Sequence, residues 1–268
     1  MVRVFAAIYR YLLALRYRVK LEGTEHLTSS STKLFLPNHQ ATVDPQLIFA
    51  HLYKYTKASP LVTEAYCKVW ILKPIFRLMG VVSVPDLEKS RKGIEVVANL
   101  YKNVLEALAH GHSMLIYPAG QLAGQGYERI YNKQSAWQVC RQLPENTRII
   151  GVRIRGLWGS MWSKAWNGES PNFLWTYLKG IFYVLANGLF FLPRRDVTIS
   201  FYDITDAGCG RAAVSRQEFN RYLESFYNAE GPEPVLFLKH FFYSPALKRK
   251  LPEHIKGADP QKYDGISE

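Results

Sequence analysis

The chain has 268 residues, with 34 Lys and Arg against 22 Asp and Glu for a net charge of +12, and it is 48% apolar and 14% aromatic. That content excludes disorder, a collagen-like repeat and a disulfide-stapled miniprotein, and the length suits one domain with appendages. The surplus of positive charge asks for something anionic: nucleic acid, an acidic membrane leaflet, or a phosphorylated or thioester-carrying substrate. Cys67, Cys140 and Cys209 lie far apart with no C-x-x-C pair, which favours a reducing compartment and gives no zinc ribbon.

Residues 1–20 read as a basic, aromatic interfacial helix, with Arg3, Arg10, Arg16, Arg18 and Lys20 threaded through residues such as Phe5, Tyr9, Leu12 and Leu13. Arg10 interrupts the apolar run, so the segment is not expected to be a secretory signal. Two readings stay open: a helix lying in the headgroup plane with guanidinium groups on lipid phosphate, or an ordinary packing helix. Tyr17 to Leu21 alternates as a strand up to Gly23, and Thr28 to Thr32 is a loop. Lys33 to Leu36 reads as a short buried strand running into Pro37-Asn38-His39, and Asp44-Pro45 opens a helix to about Tyr53. Residues 60–79 read as helical despite Pro74, Val81 to Val84 as strand, and Ser90 to His110 as helix ending at Gly111. The apolar run Ser113 to Tyr117 breaks at Pro118 and enters a glycine-rich loop, 119–126, before a helix near Ser135 to Gln142 and a strand at Arg148 to Ile154. Such alternation predicts an α/β domain with a mixed central sheet flanked by helices, over 21–245.

From Pro171 to Pro193 the only charge is Lys179. A lysine that deep costs a few kcal/mol in a bilayer, and Gly180, Asn187 and Gly188 weaken a span further. The segment therefore reads as a hydrophobic hairpin or helix that lies on lipid or forms part of an acyl-chain pocket, with plain core as the alternative. Val197 to Ile204 alternates as strand, Ser215 to Ala229 reads as an amphipathic helix, and 246–268 is a basic, solvated tail.

Chemistry concentrates in Asn38-His39-Gln40-Ala41-Thr42-Val43-Asp44. A loop His ahead of a helix can turn back so that one ring nitrogen meets an Asp in the first turn. The Asp then fixes the tautomer and stabilises the imidazolium formed when the other nitrogen takes a proton from a hydroxyl. This is triad logic without a serine, the acceptor's own hydroxyl or amine being the nucleophile. A helix-capping Asp explains the same residue without any chemistry.

Over roughly residues 20–160 the chain resembles the glycerolipid acyltransferases, whose lysophosphatidate and glycerol-3-phosphate members share an N-H-x4-D block. Asn38, His39 and Asp44 match it after an apolar strand. The resemblance implies that His39 is the general base and Asp44 orients it, in a 1-acylglycerol-3-phosphate acyltransferase-like enzyme of phospholipid biosynthesis. The family's F-P-E-G-[TS]-R block corresponds to Tyr117-Pro118-Ala119-Gly120-Gln121-Leu122, with Ala119 for the acid and Leu122 for the basic residue. Its G-x-I-F-I-x-R block is met only by Gly80-Val81-Val82-Ser83-Val84, with Asp86 where the phosphate-binding arginine falls, and V-P-V appears as Ile150-Gly151-Val152. Losing the cation of a phosphate site leaves the anion poorly compensated. The implied acceptor is therefore altered, a lysophospholipid with another headgroup or an amino-acid lipid bearing a hydroxyl.

The expected reaction moves a fatty acyl group from acyl-coenzyme A or acyl-carrier protein, as co-substrate, with no cofactor and no metal. Asn38, Tyr117, Pro118, Gly120 and Gln121 are candidate substrate contacts, with Arg91, Lys92 or Arg153 as replacement cations and the 120–126 loop as a source of oxyanion N–H donors or a plain turn. The expected partners are an anionic membrane surface, on its cytoplasmic face, and the lipid acceptor, with no nucleic acid; the oligomeric state is left open. The alternative is a catalytically silent lipid-binding or membrane-scaffolding protein of the same fold.

Other signals are weaker. Gly208-Cys209-Gly210-Arg211-Ala212-Ala213 mimics a dinucleotide fingerprint but lacks a following strand with an acidic end. Gly111-His112-Ser113-Met114-Leu115 lacks the last glycine of a hydrolase elbow. Trp158, Trp162 and Trp166 recur every four residues, at the spacing of a packing or membrane-facing helical stripe.

Overall fold

A computed structural model describes residues 2–68, 73–84, 93–238 and 240–242. Seven strands form one sheet: β1 (Tyr17–Glu22), β2 (Thr32–Pro37), β3 (Ser59–Thr63), β4 (Val82–Val84), β5 (Met114–Leu115), β6 (Thr147–Arg155) and β7 (Arg195–Asp203). Their order is β1-β7-β6-β2-β5-β3-β4, every pair parallel except β6 with β7. The mixed α/β expectation therefore holds. Strand β2, near the middle, is buried at all six positions, as a parallel strand covered on both faces must be.

Side-chain alternation sorts the core into two layers. Phe35, Ile150, Val152, Ile154, Val197 and Ile199 face the layer that includes α2 (Asp44–Leu52). Leu34, Leu36 and Ile149 face the layer of α5 (Gly93–Ala109), α6 (Ser135–Cys140), α8 (Thr205–Val214) and α9 (Arg216–Tyr227). Gly151 on β6 makes close approach possible, since a Cβ there would lie 2.7 Å from the Phe226 ring of α9. The first helix, α1 (Val2–Ala14), rests Phe5 and Tyr9 on Phe49 of α2 and buries Ala6, while Val4, Ile8, Tyr11 and Leu12 stay exposed.

The helix expected over 60–79 is not one helix. Its first residues are strand β3, which pairs with β4 and β5, followed by α3 (Glu64–Cys67) and, beyond residues outside the description, α4 (Lys73–Met79). The β-branched pair Val62-Thr63 suits a pleated strand, Pro60 is tolerated near its start, and pairing with β4 and β5 overrides the apolar periodicity. The 113–117 strand shortens to Met114–Leu115. The fingerprint-like glycines 208 and 210 lie inside α8, an element that the sequence pattern does not announce. The tryptophan spacing is not helical either: Trp158 and Trp162 sit in turns and are buried, and only Trp166 ends a short 3-10 turn, Lys164–Trp166.

The 171–193 segment folds as α7 (Phe173–Asn187), ended by Gly188 at φ 65° and followed by a 3-10 turn, Leu189–Phe191. Among the described residues no helix is long and apolar enough to cross a membrane. Yet α7 turns much of its apolar surface outward: Trp175 is 70% exposed, Leu185 77% and, just beyond, Phe190 93%. The tail from 246 and Arg91, Lys92 and Asp86 fall outside the described residues.

Candidate active site

Strand β2 delivers the chain to a loop held at both ends. Asn38 is buried and uses its amide as a strand would use a peptide: Nδ2 donates to the Ile154 carbonyl at 3.0 Å, and the Ile154 N–H donates to Oδ1 at 2.7 Å. The β2–β6 ladder is thereby extended by one side chain. At the far end Asp44 opens α2 but does not cap it. Its Oδ2 turns back and accepts from the N–H groups of Gln40 at 2.7 Å and Ala41 at 3.0 Å. The same oxygen meets His39 Nδ1 at 3.0 Å. The capping explanation of Asp44 is thus replaced by a loop-closing one.

Two backbone N–H groups on the Asp44 oxygen make it an acceptor, so the hydrogen between it and the imidazole belongs to Nδ1. The lone pair of His39 is then on Nε2. Asp44 is fully buried, and burial pushes its carboxyl above the usual range against the opposing pull of His39 and the two N–H groups. The His39 ring lies on Tyr117, centroids 4.3 Å apart.

The sequence offered no role for Glu128. Its Oε2 accepts from the His39 N–H at 3.0 Å, its backbone is clamped by Asn228, and the Ala123 N–H donates to the His39 carbonyl at 2.7 Å. Burial, with Asp44 and Glu224 adding repulsion, pushes the Glu128 carboxyl up to about 8. One available signal is that Glu128 is the sole acidic residue between β5 and α6. Around His39, four polar atoms are buried without a hydrogen-bond partner: Gln40 Oε1, Asp44 Oδ1, Tyr117 OH and Glu128 Oε1. Such atoms are costly unless water or a ligand meets them.

The structure therefore gathers Asn38, His39, Asp44 and Tyr117, with Pro118 buried behind Tyr117 and Gly120 and Gln121 on the exposed turn that follows. Gly120 takes φ 61°, and its N–H is spent on the Tyr117 carbonyl, so Gly120 and Ala123 are not free oxyanion donors. Ala119 and Leu122 are buried in place of the family's polar pair. Arg153 is elsewhere: it lies over the Tyr202 and Phe226 rings and pairs with Glu230 on the face covered by α9. A cavity of about 310 Å³ begins beside the loop at Val43 and Trp162 and runs under α7. No set of three His, Cys, Asp or Glu side chains is gathered for a metal ion among the described residues.

The family model described as Acyltransferase matches residues 18–155, just over half of the chain, and the whole His39 corner lies inside it. The chain belongs to the acyltransferase family. No curated protein sequence matches this acyltransferase. Its fold is similar to that of a solved structure, the 1-acyl-sn-glycerophosphate (LPA) acyltransferase PlsC from Thermotoga maritima, with a TM-score of 0.53 and 16% identity, covering 84% of this chain and 75% of the other.

Proposed function

We propose that this acyltransferase moves a fatty acyl group from an acyl thioester to the hydroxyl of a lysophospholipid-like acceptor at a membrane surface. The observation that carries the reading is the His39–Asp44 pair at 3.0 Å, with its carboxylate oxygen held by two further N–H groups. The acceptor O–H proton goes to His39 Nε2 as its oxygen forms a bond to the thioester carbonyl carbon. Asp44 stabilises the imidazolium that results. Collapse of the tetrahedral intermediate breaks the C–S bond, and the imidazolium returns its proton to the departing thiolate. Glu128, bound to the His39 N–H, holds the base in place without touching the reacting atoms.

Burial of Ala119 and Leu122 supports an acceptor held differently from glycerol phosphate, because neither side chain can reach one. Exposed apolar residues on α1 and α7, beside a net charge of +12, support docking on an anionic leaflet, with the enzyme lying on the membrane rather than across it. The donor is acyl-coenzyme A or acyl-carrier protein, both thioesters. Thiol release from palmitoyl thioesters with a panel of lysolipids in anionic vesicles tests the reading. Release that needs both a lysolipid and His39 is expected. Lipid binding without any release, from wild type and His39→Ala alike, would leave a silent lipid-binding protein instead.

A further inference from the structure

The cavity under α7 has an unusual polarity. Most of its wall is apolar, including Leu13, Trp162, Ile181 and Val184, but it is also lined by Arg16, Arg195 and His240. Arg195 is only 4% exposed and donates to the carbonyls of Gly156 at 2.9 Å and Leu236 at 2.6 Å. Arg16 donates to the Pro193 carbonyl and lies 3.0 Å from His240 Nε2. Each guanidinium carries five N–H donors, so each keeps several uncommitted. Burial lowers the pKa of Arg16, and that of Arg195 to about 10; it also lowers His240 to about 4, Arg16 adding repulsion. His240 is therefore neutral. With Nε2 accepting from Arg16, its hydrogen is on Nδ1, which is buried and has no partner.

No carboxylate pairs with Arg16 or Arg195 among the described residues. The field of Glu233 reaches Arg195, but its Oε1 accepts from the Gly156 and Trp158 N–H groups. One buried and one half-buried cation and an unmatched N–H, at an apolar cavity, are the complement of one kind of molecule. We propose that this cavity binds a single-chain amphiphile whose anionic head, carboxylate or phosphate, lies on Arg16, Arg195 and His240 and whose chain runs between α1 and α7. At about 310 Å³ the space is at the small end of ligand pockets, roughly 300 to 1,000 Å³, and suits a medium chain. A reacting acyl chain entering beside the His39 loop would instead place its methyl end against two guanidiniums. The site is thus separate from the transfer reaction, and His39→Ala protein is expected to bind as wild type does.

Calorimetric titration of the delipidated full chain with decanoate, decyl phosphate and decanol tests the assignment. Both anions are expected to bind at one per chain, and decanol about tenfold or more weakly. Arg16→Gln should remove that preference. Gly180→Leu should weaken all three, since a Cβ at Gly180 meets only Met161 Cε, at 3.9 Å, and the added side chain grows into the cavity. Tighter decyl phosphate identifies a lysophospholipid-type head, and tighter decanoate a free fatty acid. Equal binding of decanol and the anions, or binding indifferent to Gly180→Leu, overturns the proposal. The headgroup comparison on wild type and Gly180→Leu decides it even if Arg16→Gln does not fold.

Discussion

The His39 corner and the outer face of α7 are built on opposite rules. In the corner the groups that position the base are held by neighbours: Asn38 by Ile154, Asp44 by three donors, and the His39 backbone by Glu128 and Ala123. On α7 and the turn after it, Trp175, Leu185 and Phe190 point outward, and more than two-thirds of each is exposed. A reacting imidazole must be positioned before substrate arrives, since misplacement by about 1 Å costs rate. A surface that meets lipid needs only apolar area at the right height. One region is positioned by the protein's own hydrogen bonds and leaves four buried polar atoms for water or substrate to meet; the other is completed by what it touches.

The largest effect expected from breaking this contrast is in the corner. His39→Ala should cut thioester turnover by about 10²- to 10⁴-fold, the usual range for a general base. Loss of stability should be modest, about 1–3 kcal/mol, because the change removes one of three donors to the buried Asp44 oxygen and the ring contact with Tyr117, so a fold that melts a few degrees lower is expected beside the lost rate. Retained wild-type turnover by the purified variant would remove His39 from the mechanism.

Asp44→Asn comes next, with an expected loss of about 10²-fold or more. An amide can still accept from Gln40 and Ala41 with its oxygen, but that oxygen no longer carries a charge to stabilise the imidazolium. The change should leave vesicle binding untouched, which separates the two regions directly. A variant that kept its rate but sedimented poorly with liposomes would reverse the assignment.

Much of the corner was legible because its information is local. An apolar strand, Asn-His and an Asp five residues after the His fix one loop, and short-range hydrogen bonds then close it. Glu128 could not be read the same way, since its meaning depends on a chain that returns 89 residues later to meet His39. Residues 59–63 misled for a related reason: their strand character comes from β4 and β5, which lie elsewhere in the sequence. The cations show the same limit. Arg153 sits near the right place in sequence, but β6 turns it to the α9 face, whereas Arg16 and Arg195 meet only because β1 and β7 are neighbours.

A smaller effect is expected on the lipid side. Replacing Leu185 and Phe190 together by Ser should weaken binding to anionic vesicles by roughly tenfold, as each apolar side chain is worth about 1.5–3 kcal/mol when fully buried and these are only partly immersed. Turnover with a water-soluble short-chain acceptor should not change, because neither side chain lines the corner. Undiminished co-sedimentation with liposomes would mean that α7 does not meet lipid.

The finest test concerns Glu128, which belongs to the rigid corner but stays off the reacting atoms. Glu128→Gln keeps an oxygen to accept from the His39 N–H, so turnover should fall only a few-fold, whereas Glu128→Ala strands that buried donor and should destabilise the fold by about 1–3 kcal/mol. The pH dependence is more telling. With the folded carboxyl pushed up to about 8 and an unfolded value near 4.5, the folded state holds one proton more between those limits. Stability must then fall as pH rises through that window, by at most about 1.4 kcal/mol per unit from this group, and level off above it. Gln cannot ionise, so the stability of Glu128→Gln relative to wild type should climb between pH 5 and 8 in paired denaturant titrations. A difference that stayed flat across that range would mean Glu128 is already charged in the fold, and that the His39 N–H rests on a carboxylate rather than on a neutral acid.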